Sequence, residues 1–322
     1  MTKQTLNLKP ICLLAESKEF SEEALNILSK AFDVKNEDLD REQLLENLEQ
    51  VEILWVRLRT LIDASVMNAA PQLKLIATNT TGLNHIDLEE AYRRGIKIAS
   101  LKGEYEFLSD IRATAEHTIA LTLALLRKIP QAHEHTCSGH WDRYLFKGRE
   151  LYQSTAGIIG YGRLGKIVAR YFLAFGMQVL VYDERPVETE PGIKSVSLKD
   201  LKNEADIISI HVDLQEKNHN IFSDKFFGSL KKTAVFINTS RGELVDENSL
   251  LKALTDGKLS GAALDVVNSE HTETAEKKIL LNYAMSNENL ILTPHIGGNT
   301  FESHHKTEIF LAQKVVRNCH NQ

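Results

Sequence analysis

Short apolar runs recur along the chain, and most are followed by a stretch whose apolar positions repeat at helical spacing. PICLLA followed by EEALNILSKAF reads as strand then helix. VEILWVRL, KLIATN and IKIAS read as further strands, with helical segments around 64–70 and 88–94. A strongly apolar stretch at about 111–128 predicts a long helix closed by Pro130. The polar segment 131–151, with two glycines, predicts an irregular connection. A second series then begins: TAGIIG, a helix at about 164–175, QVLVYD, ADIISIHV, AVFINT, LSGAALDVV and NLILTPHI. A last helix is predicted near 301–317. Such alternation predicts an α/β fold of two doubly wound parallel sheets covered by helices, the two units joined by the long helix.

Length and charge narrow the function. The 322 residues suggest about two domains. A formal net charge of −6 argues against general binding to nucleic acid or a membrane surface. No apolar run approaches the roughly 20 residues of a membrane helix. The apolar patch at 11–15 is short for a signal-peptide core of about 7–15 residues and reads better as a first buried strand. The cysteines, Cys12, Cys137 and Cys319, are odd in number and far apart, which suits reduced thiols in a cytoplasmic protein.

The sequence GIIGYGRLGKIVARYF holds Gly160, Gly162 and Gly165 in a G-x-G-x-x-G pattern between an apolar strand and an amphipathic helix. In that setting the pattern is a dinucleotide-binding fingerprint. The first glycine allows a tight turn, the second lets the backbone approach a pyrophosphate, and the third lets helix and strand pack closely. The next strand ends at Asp183, about 20 residues on, where a carboxylate accepts from ribose hydroxyls and repels a 2′-phosphate. The expected cofactor is therefore NAD, with Arg185 leaving some use of NADP open.

Polar groups follow at the ends of three later strands. Arg241 follows AVFINT, Asp265 and Glu270 follow GAAL, and His295 follows NLILTP. Ligands of open α/β sheets sit outside the carboxyl ends of the strands. An arginine there can grip a carboxylate with its planar fork, and a histidine can pass a proton. A carboxylate beside an imidazole stabilises its protonated form. The loop NSEHTE offers two such carboxylates, Glu270 and Glu273.

In order and spacing, GYGRLG, NTSRG, GAALDV and TPHIGG resemble the D-isomer-specific 2-hydroxyacid dehydrogenases. The resemblance spans nearly the whole chain. It implies a flavodoxin-like substrate domain built from 1–109 and 297–322, with a Rossmann-type NAD domain, 110–296, inserted in it. It implies Arg241, Glu270 and His295 as the catalytic set, which selects Glu270 over Glu273. His295 would be the acid/base, Glu270 would hold and charge it, and Arg241 would clamp the substrate carboxylate. Cofactor contacts would fall on Gly160, Gly162, Arg163, Leu164, Gly165, Asp183, Thr239, Ser240, Asp265, Gly297 and Gly298. Substrate contacts would fall on Arg57, Thr80, Thr81, Gly82 and Arg241. The segment after the long helix would pack in a homodimer.

Within the family the nearest likeness is to the D-3-phosphoglycerate dehydrogenase branch, carried by VRLRTLID and by the segment with Trp141 and Arg143. The arginines Arg57, Arg59 and Arg143 suit a phosphorylated substrate, so 3-phosphoglycerate and 3-phosphohydroxypyruvate are the expected pair. Two departures bear on that. Leu58 stands where a serine is usual, and Asp213 stands where a proline is usual, so that an inward-facing carboxylate would repel an anion. With the chain ending at 322, no serine-binding regulatory domain is expected. The alternatives are an enzyme for hydroxypyruvate, glyoxylate, lactate or erythronate phosphate, or a non-catalytic NAD(H)-sensing protein. HEHTCSGH, with His133, His135, Cys137 and His140, lacks the spacing of a zinc site, and no metal is expected.

Overall fold

The computed structural model describes residues 9–320. The polar opening, residues 1–8, lies outside them, as do the last two residues. Contacts divide the chain into two units with breaks at Ile111/Arg112 and Asn299/Thr300; the sequence places the breaks at 109/110 and 296/297.

The first unit carries β1 (Ile11–Leu14), α1 (Glu22–Ala31), β2 (Asp33–Asn36), α2 (Arg41–Glu46), β3 (Ile53–Val56), α3 (Ala64–Ala69), β4 (Leu75–Thr78), α4 (Leu88–Arg93), β5 (Lys97–Ala99) and α5 (Tyr105–Leu108). Its five strands are all parallel, in the order β2-β1-β3-β4-β5. That order is the flavodoxin-like winding. Strands β3 and β4, ILWV and LIAT, are buried at every position because helices cover both faces. Short polar side chains start the helices: Ser21 accepts from Ala24 N–H, Asp63 from Ser65 and Val66, and Asp87 from Glu90.

The second unit carries α6 (Ala113–Leu126), α7 (Ile129–Cys137), β6 (Thr155–Ile159), α8 (Arg163–Ala174), β7 (Gln178–Tyr182), β8 (Ile193–Ser195), α9 (Leu198–Glu204), β9 (Ile207–Ile210), α10 (Asp224–Phe227), β10 (Val235–Asn238), α11 (Glu247–Thr255), β11 (Gly261–Leu264), α12 (Ala275–Ser286) and β12 (Leu290–Leu292). Its parallel sheet runs β12-β11-β10-β9-β6-β7-β8. The winding reverses between β6 and β9, which opens a crevice at their carboxyl ends. The last helix, α13 (Phe301–His320), belongs to the first unit, where Leu311, Ala312 and Val315 share a core with Ala24 and Leu28 of α1.

One expectation fails at Pro130. The apolar helix ends at Leu126, Lys128 turns the chain with φ of 51°, and Pro130 lies in the first turn of α7. There its missing N–H leaves no gap in the ladder, because the first turn has no acceptors to serve. The supposed irregular connection is thus helical over Ile129–Cys137 and a 3-10 turn over Arg143–Phe146. Within α6 the buried hydroxyls of Thr118 and Thr122 bond the carbonyls of Thr114 and Thr118.

Two histidines are held uncharged. Burial drives His304 down to about 4, with nearby Arg57 adding to it, and burial drives His211 down to about 3. Unfolded, each returns to its ordinary 6.5 and takes up a proton first. The stability they contribute is therefore complete above pH 6.5 and drains away as pH falls towards 4, by up to about 1.4 kcal/mol per pH unit for each. Melting temperatures between pH 7 and pH 4.5 should fall, and His304→Gln should flatten that fall. An unaltered slope in the variant would remove His304 from the account.

Candidate active site

At the end of β6 the chain turns through Gly160, whose φ is +92°. A Cβ there would run into the carbonyl of His211, at the end of neighbouring β9. A Cβ on Gly165 would meet the carbonyl of Gly160, so α8 starts pressed against the turn. Gly162 is different: a Cβ there would meet nothing within 4 Å. It faces open space, as a glycine must where a ligand phosphate comes close to the backbone. No side chain caps α8 at Gly162, whereas Ser197, Asp246 and Thr274 cap α9, α11 and α12. The first N–H groups of α8 are therefore suited to a pyrophosphate. Arg163 opens the helix, its pKa drawn down by burial against the pull of Asp213. Leu164 packs on the core beside it.

Asp183 follows β7 and accepts from the N–H of Tyr161 at 2.9 Å and of Arg185 at 3.0 Å. Burial alone would raise its pKa, but these donors hold the carboxyl below its usual range. A fixed anion thus stands at the end of the second strand, where a dinucleotide places its ribose. The Arg185 side chain is largely exposed, with Nε 3.6 Å from Asp183. Asp183→Ala should lower the preference for NAD over NADP by about tenfold or more, as one charge repulsion removed implies; equal ratios of kcat/KM in the two proteins would show that Asp183 does not read the ribose.

The turn after β10 is organised from beneath. Fully buried Asn238 accepts from Ser240 N–H and donates to the Arg241 carbonyl, both at 2.9 Å. Ser240 Oγ donates to the Val212 carbonyl at 2.5 Å, and Thr239 Oγ1 lies 2.8 Å from Thr118 Oγ1. Arg241 Nη1 donates to the Ser240 carbonyl. Burial draws the guanidinium pKa down, while Glu270, Glu243 and Asp213 pull it up. Asp213, the unusual carboxylate, is thus coupled to both Arg163 and Arg241.

Asp265 follows β11 and acts as a clamp. Its backbone carbonyl accepts from His295 N–H at 2.8 Å. Its Oδ1 accepts from Ile296 N–H at 2.9 Å and from Thr293 Oγ1 at 2.6 Å, and lies 3.2 Å from His117 Nε2. Its Oδ2 accepts from Gly297 N–H at 2.7 Å. Burial opposes these donors, yet together they keep the carboxyl below its ordinary range. The clamp holds His295 at φ of 54°, a left-handed conformation that side chains seldom adopt. Gly297 fits over the carboxylate because a Cβ would come 2.9 Å from Oδ2, while Gly298 meets nothing within 4 Å.

In that posture His295 Nδ1 lies 2.7 Å from Glu270 Oε2, and both side chains are about a quarter exposed, at 22% and 24%. Glu273 is exposed. With Nδ1 held by the carboxylate, Nε2 is the nitrogen left for proton transfer. The loop bearing Glu270 is anchored by Asn268 N–H to Glu247 Oε1 at 2.6 Å and by Lys277 Nζ to the Glu270 carbonyl at 2.9 Å. Gly242 lies directly beneath it, where a Cβ would overlap the backbone of Val267 and Asn268. Among the supporting residues, Asn238 and Gly242 bracket the NTSRG motif, whereas His117 and Glu247 carry no motif signal of their own.

The remaining expected contacts lie in the first unit. Arg57 follows β3, and Thr80, Thr81 and Gly82 follow neighbouring β4, all at the carboxyl end of that sheet. The Thr80 hydroxyl donates to the Gly82 carbonyl at 2.7 Å, and Thr81 is exposed. Arg57 is ion-paired with Glu308. Among HEHTCSGH, His133 approaches Cys137 at 3.6 Å and His135 stacks on His140. No group of three or more His, Cys, Asp or Glu able to hold a metal occurs among the described residues. Likewise, no helix there is long and apolar enough to cross a membrane.

The chain is similar to known proteins. Residues 119–297 match the family model described as D-isomer specific 2-hydroxyacid dehydrogenase, NAD binding domain. The chain is 34% identical over 286 residues to a hydroxypyruvate reductase of Thermotoga maritima, covering 88% of this chain and 90% of that protein. It is also 34% identical over 301 residues to a D-3-phosphoglycerate dehydrogenase of Methanocaldococcus jannaschii, covering 92% of this chain and 55% of that one. A crystal structure of D-lactate dehydrogenase from Aquifex aeolicus, complexed with NAD and lactic acid, superposes with a TM-score of 0.80 at 27% identity, covering 97% of this chain and 96% of that one.

Proposed function

Because the chain belongs to the D-isomer-specific 2-hydroxyacid dehydrogenases, an NAD-dependent oxidoreductase family, we propose that it reduces a small 2-keto acid to the D-2-hydroxy acid with Arg241, Glu270 and His295 as its working groups. The carrying observation is the 2.7 Å contact of His295 with Glu270, at the same sheet end as Arg241. Bound NADH supplies the hydride. Arg241 grips the substrate carboxylate with its fork and draws electron density from the adjacent carbonyl. His295 Nε2 gives a proton to the carbonyl oxygen as it becomes a hydroxyl. Glu270 orients the ring through Nδ1 and balances its charge. Asp265, with His117 and Thr293, fixes the backbone from which the ring projects. The phosphate-facing groups on this reading are Gly160, Gly162, Arg163 and Gly165, with Asp183 at the ribose.

The test is NADH oxidation over a panel of 2-keto acids that includes glyoxylate, pyruvate, hydroxypyruvate and 3-phosphohydroxypyruvate. Turnover of one or more of them is expected. NADH binding with no turnover of any would sink the reductase reading in favour of an NAD(H) sensor. The relatives named above divide between phosphorylated and unphosphorylated substrates, and both kinds present the same 2-keto carboxylate to Arg241.

A homodimer is part of the same proposal. The segment after α6 exposes Ile129, Trp141, Tyr144 and Leu145, with Trp141 89% accessible. Exposed aromatic residues gathered on one segment suit a second copy of the chain. A monomer by sedimentation at micromolar concentration would remove this part alone. The free thiols Cys12, Cys137 and Cys319 support a cytoplasmic location.

A further inference from the structure

A carboxylate stands at the crevice of the second unit, among groups suited to anions. β9 lies between β6 and β10 in the sheet, and the chain leaves its carboxyl end through His211, Val212 and Asp213. That segment is wedged between two turns. On one side the His211 carbonyl lies where a Cβ on Gly160 would fall, and Val212 N is 3.1 Å from the same point. On the other side the Val212 carbonyl accepts from Ser240 Oγ at 2.5 Å. The Asp213 carbonyl accepts from Asn218 Nδ2 at 2.8 Å, which fixes the end of the segment. Asp213 itself is exposed.

Neighbouring strands lie about 4.8 Å apart. Asp213 therefore follows the middle one of three adjacent strand ends, with Arg163 beyond one neighbour and Arg241 beyond the other. The charges agree with that placement. Burial draws both guanidinium groups down, and Asp213 is among the carboxylates that pull each of them back up. Arg163 opens α8, at the turn that faces the cofactor phosphates. A carboxylate within reach of that arginine subtracts from the attraction the crevice has for a pyrophosphate. Asp183, the other carboxylate of the cofactor site, is held by two backbone N–H groups at the ribose end. Asp213 is the one placed between the phosphate turn and Arg241.

We propose that Asp213 sets how tightly the crevice holds its cofactor: its charge offsets that of Arg163 and keeps the dinucleotide pyrophosphate loosely enough bound to exchange. This rests on the cofactor phosphates lying at the glycine turn, as in the reading above, and not on which keto acid is reduced. ADP-ribose carries the pyrophosphate and adenosine does not, so their two dissociation constants isolate the effect. Asp213→Asn keeps the size of the side chain and the backbone bond to Asn218 while removing the charge. At about 20 mM salt it should tighten ADP-ribose by about three- to tenfold, the size of one unit charge acting over several ångströms near a protein surface. Adenosine should bind as before. At about 1 M salt, where the screening length is about 3 Å, the gain should vanish. Asp213→Glu keeps the charge and should bind ADP-ribose as the wild type does. An unchanged ADP-ribose affinity in Asp213→Asn at low salt overturns the proposal. So does a gain shared by adenosine or undiminished by salt, since either means a reshaped crevice and not a removed charge. If the wild-type protein binds ADP-ribose no better than adenosine, the placement of the phosphates and the proposal fall together, whereas reduction of a keto acid is scored separately by NADH oxidation.

Discussion

His295→Asn is expected to lower turnover by about 10²–10⁴-fold, the span for loss of a general acid, while NADH still binds. Asparagine is the better substitution because it tolerates the left-handed backbone required at this position, where φ is 54°. Alanine would combine loss of the imidazole with added strain, and the two effects would be hard to part. The amide cannot deliver a proton as the hydride arrives, whereas the glycine turn and Asp183 are untouched. Fluorescence titration with NADH and steady-state reduction of the preferred keto acid separate the two quantities. Turnover within threefold of wild type would take His295 out of the mechanism.

Gly242→Ala should be nearly as damaging, although Gly242 carries no reactive group. The added Cβ would overlap the backbone of Val267 and Asn268. Backbone cannot escape by changing rotamer, so the loop must move. That loop carries Glu270, whose place beside His295 is set to hydrogen-bond distance. A displacement of about 1 Å in such a group can cost around 100-fold in rate, and the forced repacking about 1–3 kcal/mol in stability. A lower kcat with a melting temperature reduced by several degrees is the expected pair of results. Wild-type values of both would show that the loop does not need the close approach.

The alternation of apolar runs with helical spacing was enough to read two parallel sheets, because strands buried on both faces are apolar throughout. Strands at the sheet edges were harder. DVKN and IKS are β2 and β8, and their polarity resembles that of a loop because one side is open. Pro130 misled because proline is equally at home just after one helix and just inside the next. Residues such as Gly160, Arg241 and His295 announce themselves through local spacing at strand ends. Supports such as His117 do not. His117 meets Asp265 across 148 residues, and Glu308 meets Arg57 across 251. Contacts of that kind depend on the finished packing and leave no trace in any short window of sequence. Arg57 shows the consequence: its residue type suggested an anion site, and nothing near it in sequence announced the carboxylate it pairs with.

With His295 as the proposed proton donor, its left-handed backbone sets stability against activity. Asn or Gly would occupy that conformation at lower energy than an imidazole-bearing residue. The most stable sequence for this loop is therefore not the working one. A screen selecting only for heat resistance would tend to discard the histidine, and consensus-style stabilisation of the chain would have to leave position 295 alone.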